Sequence, residues 1–265
     1  MRRIRSKLPA EPLCINKNAQ NMKRLVVIGA SRGIGRRVAI DFTKMGWEVA
    51  IAARREDKLK EIADNFPGKV VYKAIDVTSP DCVERFNDLI EMNGGMDMLL
   101  FASGVGFANP DLAPGLDESI MAVNVLGFTR IINAAYKYFK RTAVDAKGRI
   151  CAITSIAGTK GMGAAPTYSA TKRYQQNYLQ AISQLAHMQR VNVSVTDIRP
   201  GFIRTDLLDP NKSYPLIMAV NYVAPLIEKA MLRGSRVAYI DWRWGLVTSA
   251  WKLIPRFIWE RMSVQ

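Results

Sequence analysis

Seven short apolar runs, rich in β-branched residues, alternate with helical patterns along this chain. The runs cover residues 25–28, 49–53, 70–75, 98–102, 150–154, 193–198 and 237–240. Between them, apolar residues recur at helical spacing over 34–45, 58–65, 81–92, 118–141, 167–187 and 223–232. Strands that alternate with helices are joined by right-handed crossovers, which makes the sheet parallel and buries both its faces. The expected fold is α/β: one doubly wound domain, 22–241, around a seven-stranded parallel sheet. With 265 residues, 49% of them hydrophobic, the chain can bury a core of that size. No repeat and no long linker divides it.

The ends differ from the middle. Residues 1–21 are basic and polar without an apolar run, and read as a disordered or non-native arm. Residues 242–265 hold four of the five tryptophans among basic residues, and form a separate terminal segment. No stretch is long and apolar enough to suggest a spanning helix. Net charge is +15, spread along the chain rather than gathered in a stripe with stacking aromatics, so nucleic-acid binding is not expected. Three cysteines, Cys14, Cys82 and Cys151, form no paired motif, which fits a reducing cytoplasm. A single histidine, His187, excludes a multi-histidine metal site, and no metal is expected.

Two local patterns carry chemistry. The turn from the first strand to the first helix reads Gly29-Ala30-Ser31-Arg32-Gly33-Ile34-Gly35. Glycines there allow a tight turn and close approach to a pyrophosphate, and the helix N-terminus adds free N–H groups and a positive dipole. The second pattern is Ser155 followed by Tyr168 and Lys172. Tyr168 and Lys172 lie four apart on a helix and share a face. A lysine charge near the phenol favours the phenolate and lowers a pKa that is ordinarily about 10. Taken alone, such a pair is more often a packed ring and a solvated amine.

The order of these residues resembles the short-chain dehydrogenase/reductase family, from about 23 to 240. The glycine spacing is GxxxGxG, Asn124 follows in the helix after strand four, and Ser155, Tyr168 and Lys172 complete an Asn-Ser-Tyr-Lys tetrad. The resemblance implies a Rossmann-type fold and hydride exchange between a nicotinamide cofactor and a carbonyl or alcohol. It makes Tyr168 the acid or base and Lys172 the ligand of the cofactor ribose. Ser155 becomes the donor to the substrate oxygen, and Asn124 the holder of a water that relays protons from Lys172. It assigns cofactor contacts to Asp76 and Val77 after strand three and to Ala102-Ser103-Gly104 after strand four. After strand six it assigns Pro200, Gly201, Ile203 and Thr205. Two positions depart from the family: Ile28 stands where a Thr is usual, and Ala102-Ser103-Gly104 where Asn-Ala-Gly is usual.

Strand two ends Ala53-Arg54-Arg55, with no carboxylate to bind a ribose hydroxyl. A guanidinium binds a 2′-phosphate in a forked geometry, and Arg32 approaches from the glycine loop. The expected cofactor is therefore NADP(H). Residues 202–221 read equally as an apolar lid over the substrate and as a loop packed on the core, and Phe107 and 161–164 are further candidates for the substrate wall. These suggest an apolar or lipid-like carbonyl, with a 3-oxoacyl carrier or a sphingoid-base ketone as alternatives. A non-catalytic NADP-binding regulator is the alternative from another class. The resemblance implies a homodimer or homotetramer through the two long helices. The tryptophan-rich tail is open to three partners: its own domain, a neighbouring subunit or a membrane surface.

Overall fold

Parallel strands buried on both faces need residues that pack on both sides, and the seven apolar runs supply them. The computed structural model describes residues 23–263 except 114, 145, 206, 207 and 209–212. The expected arm 1–21, Cys14 and part of the lid, including Leu207, lie outside the described residues. The strands are β1 (Arg24–Ile28), β2 (Glu48–Ala53), β3 (Val70–Ala74), β4 (Met98–Phe101), β5 (Gly148–Ile153), β6 (Val193–Pro200) and β7 (Val237–Ile240). They form one sheet in the order β3-β2-β1-β4-β5-β6-β7, and every adjacent pair is parallel.

Alternation along each strand builds two hydrophobic layers. From β1, Leu25 and Val27 point to one face, where they join Val38 and Phe42 of α1 (Gly33–Lys44). Leu59 of α2 (Glu56–Asp64) belongs to the same layer. Val26 and Ile28 point to the other face, against Phe86 of α3 (Cys82–Met92). The chain winds outward from β1 in both directions, so the connections that follow β1 and β4 leave their paired carboxyl ends on opposite sides. An open α/β sheet binds its ligand in the crevice between those connections. Gly29 permits the crevice to form: its φ is +95°, and a Cβ there would lie 2.5 Å from the backbone nitrogen of Ser103.

The helix expected over 118–141 is observed in three pieces. These are α4 (Leu116–Met121), a π-helical turn Ala122–Gly127 and α5 (Phe128–Thr142). The π turn holds Asn124 and inserts one residue into the helical register, a feature frequent at functional sites. The remaining helices are α6 (Pro166–Met188), α7 (Val220–Arg233), α8 (Trp242–Leu253) and α9 (Arg256–Trp259).

The tryptophan-rich segment folds back over the carboxyl end of the sheet. Asp241 caps α8 by accepting from the Arg243 backbone N–H at 2.9 Å. Trp244 is buried against Gly201 and Phe202, and Trp259 Nε1 donates to the Gly161 carbonyl at 2.7 Å. Lys160 Nζ donates to the Ile254 carbonyl at 2.6 Å. Among the described residues, no helix is long and apolar enough to cross a membrane.

Helices α1 and α7 set a buried glutamate beside a half-buried aspartate, a pair expected to make stability depend on pH. Glu228 is buried, its Oε1 has no hydrogen-bond partner among the described residues, and Asp41 lies beside it. Burial and then the neighbouring Asp41 push the Glu228 carboxyl up to about 7, with Arg37 opposing. Its folded pKa therefore exceeds its unfolded value, and the folded state holds the extra proton between about 4.5 and 7. Stability is expected to fall as pH rises through that window. Glu228→Gln is expected to flatten this slope and raise stability above pH 7 by about 2 kcal/mol. Urea unfolding at pH 5 and pH 8 measures it; equal gains at both values would remove Glu228 as the cause.

Candidate active site

The carboxyl ends of β1, β4, β5 and β6 open into a cleft of about 1990 Å³. A small-molecule site usually takes ~300–1,000 Å³, so this cleft has room for two ligands side by side. One half is polar. Gly29, Ser31, Arg32, Gly33, Ile34 and Gly35 line it from the β1–α1 turn, with Arg54 and Arg55 from the end of β2. Asp76 and Val77 enter from β3, and Ala102, Ser103 and Gly104 from β4. Arg55 Nη2 donates to Ser31 Oγ at 3.1 Å, which brings its guanidinium to the glycine turn. Asp76 Oδ1 accepts from both the backbone N–H and the hydroxyl of Thr78, at 2.9 and 2.8 Å, and so sets the loop after β3. The opening of α1, a hydroxyl and three arginines make an anion-binding donor set. The pyrophosphate of a dinucleotide fits it.

Pro200, Gly201, Ile203 and Thr205 line the far side of the cleft. The chain after them turns back on itself: Met218 N–H donates to the Phe202 carbonyl at 2.9 Å, and Arg204 N–H donates to Met218 at 2.8 Å. This clasp holds Tyr214 against Phe202, with ring centroids 5.0 Å apart.

Ser155, Tyr168 and Lys172 meet where the two halves join, and all three line the cleft. Ser155 begins a short 3₁₀ turn, Ile156–Thr159, and caps it by accepting from the Ala157 N–H at 3.1 Å. Its carbonyl accepts from Gln176 Nε2 at 2.7 Å, so both ends of the serine are fixed. Tyr168 projects from α6 against the backbone of Gly106. A Cβ at that glycine would lie 2.5 Å from the ring, so any side chain there displaces the phenol. Lys172 is buried, with Nζ donating to the Ile153 carbonyl at 3.3 Å and to Gln175 Oε1 at 3.0 Å.

Two expectations change here. The phenol was expected to be lowered by Lys172. Instead burial pushes Tyr168 up, and the Ser155 hydroxyl is what pulls it back. Lys172 Nζ lies over the ring, 5.7 Å from its centroid, and its charge is not among the causes that act on the phenol. Burial in turn lowers Lys172 to about 8, opposed by the charge of Asp197 on β6. The second change concerns Asn124, expected to hold a relay water. It is fully buried behind the cleft. Its side chain exchanges two hydrogen bonds with the backbone of Val105, at 3.0 and 2.7 Å, and donates to Thr171 Oγ1 at 3.1 Å. Its carbonyl accepts from Gln175 Nε2 at 2.9 Å, so a side-chain amide bridges it to Lys172.

The expected wall and lid residues, joined by two tryptophans of the tail, complete the other half of the cleft. Phe107, Met162, Phe202, Tyr214, Trp251 and Trp259 give it an apolar lining, with Trp251 and Trp259 in edge-to-face contact at 5.4 Å. Gly106 and the buried Gln175 and Gln176 had no separate sequence signal beyond their spacing from Tyr168 and Lys172. Among the described residues, no cluster of three or more His, Cys, Asp or Glu is placed to hold a metal ion.

The sequence model for short chain dehydrogenases matches residues 23–214. An 11-beta-hydroxysteroid dehydrogenase-like protein 2 of Arabidopsis thaliana is 31% identical over 226 residues, covering 80% of this chain and 70% of its own. An uncharacterized oxidoreductase of Myxococcus xanthus is 26% identical over 242 residues, covering 89% and 94%. Among solved structures, a 3-ketoacyl-(acyl-carrier-protein) reductase from Brucella melitensis complexed with NADH superposes with TM-score 0.73 and 21% identity. It covers 82% of this chain and 95% of its own. An alcohol dehydrogenase from Thermococcus sibiricus complexed with 5-hydroxy-NADP gives TM-score 0.70 and 24% identity, covering 83% and 95%. At those identities the structural likeness is one of fold.

Proposed function

The chain belongs to the short chain dehydrogenase family and is an oxidoreductase, and within that family we propose an NADP(H)-dependent reductase of apolar ketones or aldehydes. The observation that carries this reading is the convergence of Ser155, Tyr168 and Lys172 between an arginine-rich dinucleotide groove and an aromatic-walled chamber. A bound nicotinamide supplies the hydride to the carbonyl carbon, or accepts it from the alcohol.

The protein handles the oxygen and its proton. Burial keeps the Tyr168 phenol protonated, which suits a proton donor to the developing alkoxide. The Ser155 hydroxyl, held by its own cap and by Gln176, stabilises the same oxygen as charge builds on it. Lys172 keeps a positive charge below pH 8 and offsets the phenolate left after transfer. In the oxidative direction the same groups act in reverse. Arg54, Arg55 and Arg32 favour a 2′-phosphate on the cofactor, and the chamber excludes water from an apolar substrate.

The test is NADPH oxidation against a panel of ketones graded from acetone through acetophenone to long-chain and polycyclic ketones. Turnover is expected to rise with apolar bulk. Cofactor binding without turnover of any member would favour a nucleotide-binding regulator instead.

A second feature concerns how such a substrate arrives. Trp242, Leu246 and Leu253 fall on one stripe of α8 and are 69%, 62% and 84% exposed. Phe257, Ile258 and Met262 continue the exposed apolar surface beside the cleft, among Arg256 and Arg261. We infer a peripheral contact with an anionic bilayer. Leu253→Glu with Phe257→Glu is expected to abolish co-sedimentation with phosphatidylserine vesicles while turnover of a water-soluble ketone persists. Unchanged sedimentation would remove the membrane contact.

A further inference from the structure

Gln175 lies three residues after Lys172 on the same face of α6 and is fully buried. A buried amide is costly unless its donors and acceptor are matched. Here Oε1 accepts from Lys172 Nζ at 3.0 Å and Nε2 donates to the Asn124 carbonyl at 2.9 Å. Only one orientation of the amide allows this. The ammonium has donors alone and the backbone carbonyl accepts alone, so a flipped amide would oppose like groups at both ends. The far end is equally fixed, since Asn124 is tied to both backbone groups of Val105 and to Thr171.

The bridge has two consequences. The Ile153 carbonyl and Gln175 take two of the three N–H groups of Lys172, leaving one for the cleft that Lys172 lines. The path from Lys172 to Asn124 also runs through an amide, which neither gains nor loses a proton at neutral pH. A chain of waters or hydroxyls there would conduct protons; this one orients the ammonium and stops at the carbonyl.

We propose that Gln175 is a positioning residue of the active site: its amide, anchored on the Asn124 carbonyl, fixes the Lys172 ammonium beside Tyr168. The proposal rests on the reading of Tyr168 and Lys172 as the proton-transfer pair. The groups that bear on the charge of Lys172 are few. Tyr168 faces it from its own helix, and Asp197 acts on it from β6, itself paired with Arg199 and accepting from Thr154 Oγ1 at 2.6 Å. Gln175 is the neutral acceptor among them. Its carbonyl oxygen favours the charged lysine against the burial that disfavours it.

The direct test needs no substrate. Full-length protein carrying a carbon-13 label at lysine Cε is titrated by NMR, with the Lys172 signal assigned by its loss in Lys172→Arg. Gln175→Met keeps length and volume but removes the acceptor; its Lys172 midpoint is expected about one pH unit below that of the parent. Gln175→Ala leaves room for water, which restores an acceptor, so its midpoint is expected between the two. A parallel measurement of ketone reduction against pH is expected to show the alkaline limb moving with Lys172 in each variant. Midpoints unchanged in both variants, with only the melting temperature lowered, would assign Gln175 to packing and overturn the proposal. Should Gln175→Met fail to fold, Gln175→Ala decides alone: a downward shift supports the bridge, and no shift or an upward one overturns it. Failure of the Tyr168 mechanism is separable, because it appears as turnover surviving in Tyr168→Phe and leaves the lysine titration untouched.

Discussion

Tyr168→Phe is expected to lower kcat/KM for ketone reduction by about 10²–10⁴-fold while NADPH affinity changes by less than about threefold. The substitution deletes one oxygen and keeps the ring, whose edge lies against the backbone of Gly106. Packing of the loop after β4 therefore survives, and the arginine groove is untouched. What is lost is the proton donor to the alkoxide. Ser155 remains and still donates a hydrogen bond, because it only accepts from the Ala157 N–H, but an alkyl hydroxyl is a far weaker acid than a phenol and cannot replace it as proton donor. Quenching of tryptophan fluorescence reports NADPH binding separately from turnover, since Trp244, Trp251 and Trp259 line the cleft. The parent's pH profile adds a check. Burial raises Tyr168, so reduction is expected to hold through neutrality. Lys172 sits near 8, so the alkaline fall begins about there. Turnover within tenfold of the parent in Tyr168→Phe would sink the mechanism.

How much of this was legible in the sequence depends on where each feature's cause lies. The sheet was legible because central parallel strands are buried on both faces and read as unbroken apolar runs, such as Leu25 to Ile28. The glycine turn was legible because its conformation demands residues without Cβ. The π turn at Ala122–Gly127 was not, because one extra residue per turn leaves no mark on an apolar helix pattern. Gln175 carried the wrong signal: a glutamine on a helix reads as solvated, and only the third dimension puts an ammonium and a carbonyl at its two ends. The electrostatics of Tyr168 failed for a related reason. Spacing of four residues fixes which face two side chains share, but not whether the charge acts on the phenol. The tail's tryptophans were visible as a segment with a job. Its partner was hidden, because the contacts that dock it are backbone carbonyls, Gly161 for Trp259 and Ile254 for Lys160. Any sequence carries those.

Arg54→Asp is expected to reduce the NADPH-over-NADH preference, as a ratio of kcat/KM, by about tenfold to a hundredfold. Arg54 and Arg55 end β2 at the rim of the cleft, next to the glycine turn that faces a pyrophosphate. A guanidinium at that rim meets a phosphate with a forked, charge-assisted pair of hydrogen bonds; a carboxylate meets it with repulsion and offers NAD a partner for its ribose hydroxyl. The substitution therefore acts on both cofactors in opposite directions. Arg55 keeps part of the original preference, because its bond to Ser31 Oγ holds it at the same rim. The double variant Arg54→Asp with Arg55→Ala is expected to go further than either change alone. Because the rim is exposed, the parent's preference is also expected to weaken as salt rises from 0.05 to 0.5 M, through screening of phosphate and arginine. A ratio that ignores both the substitution and the salt would place the 2′-phosphate elsewhere in the cleft, and Arg32 would be the next residue to change.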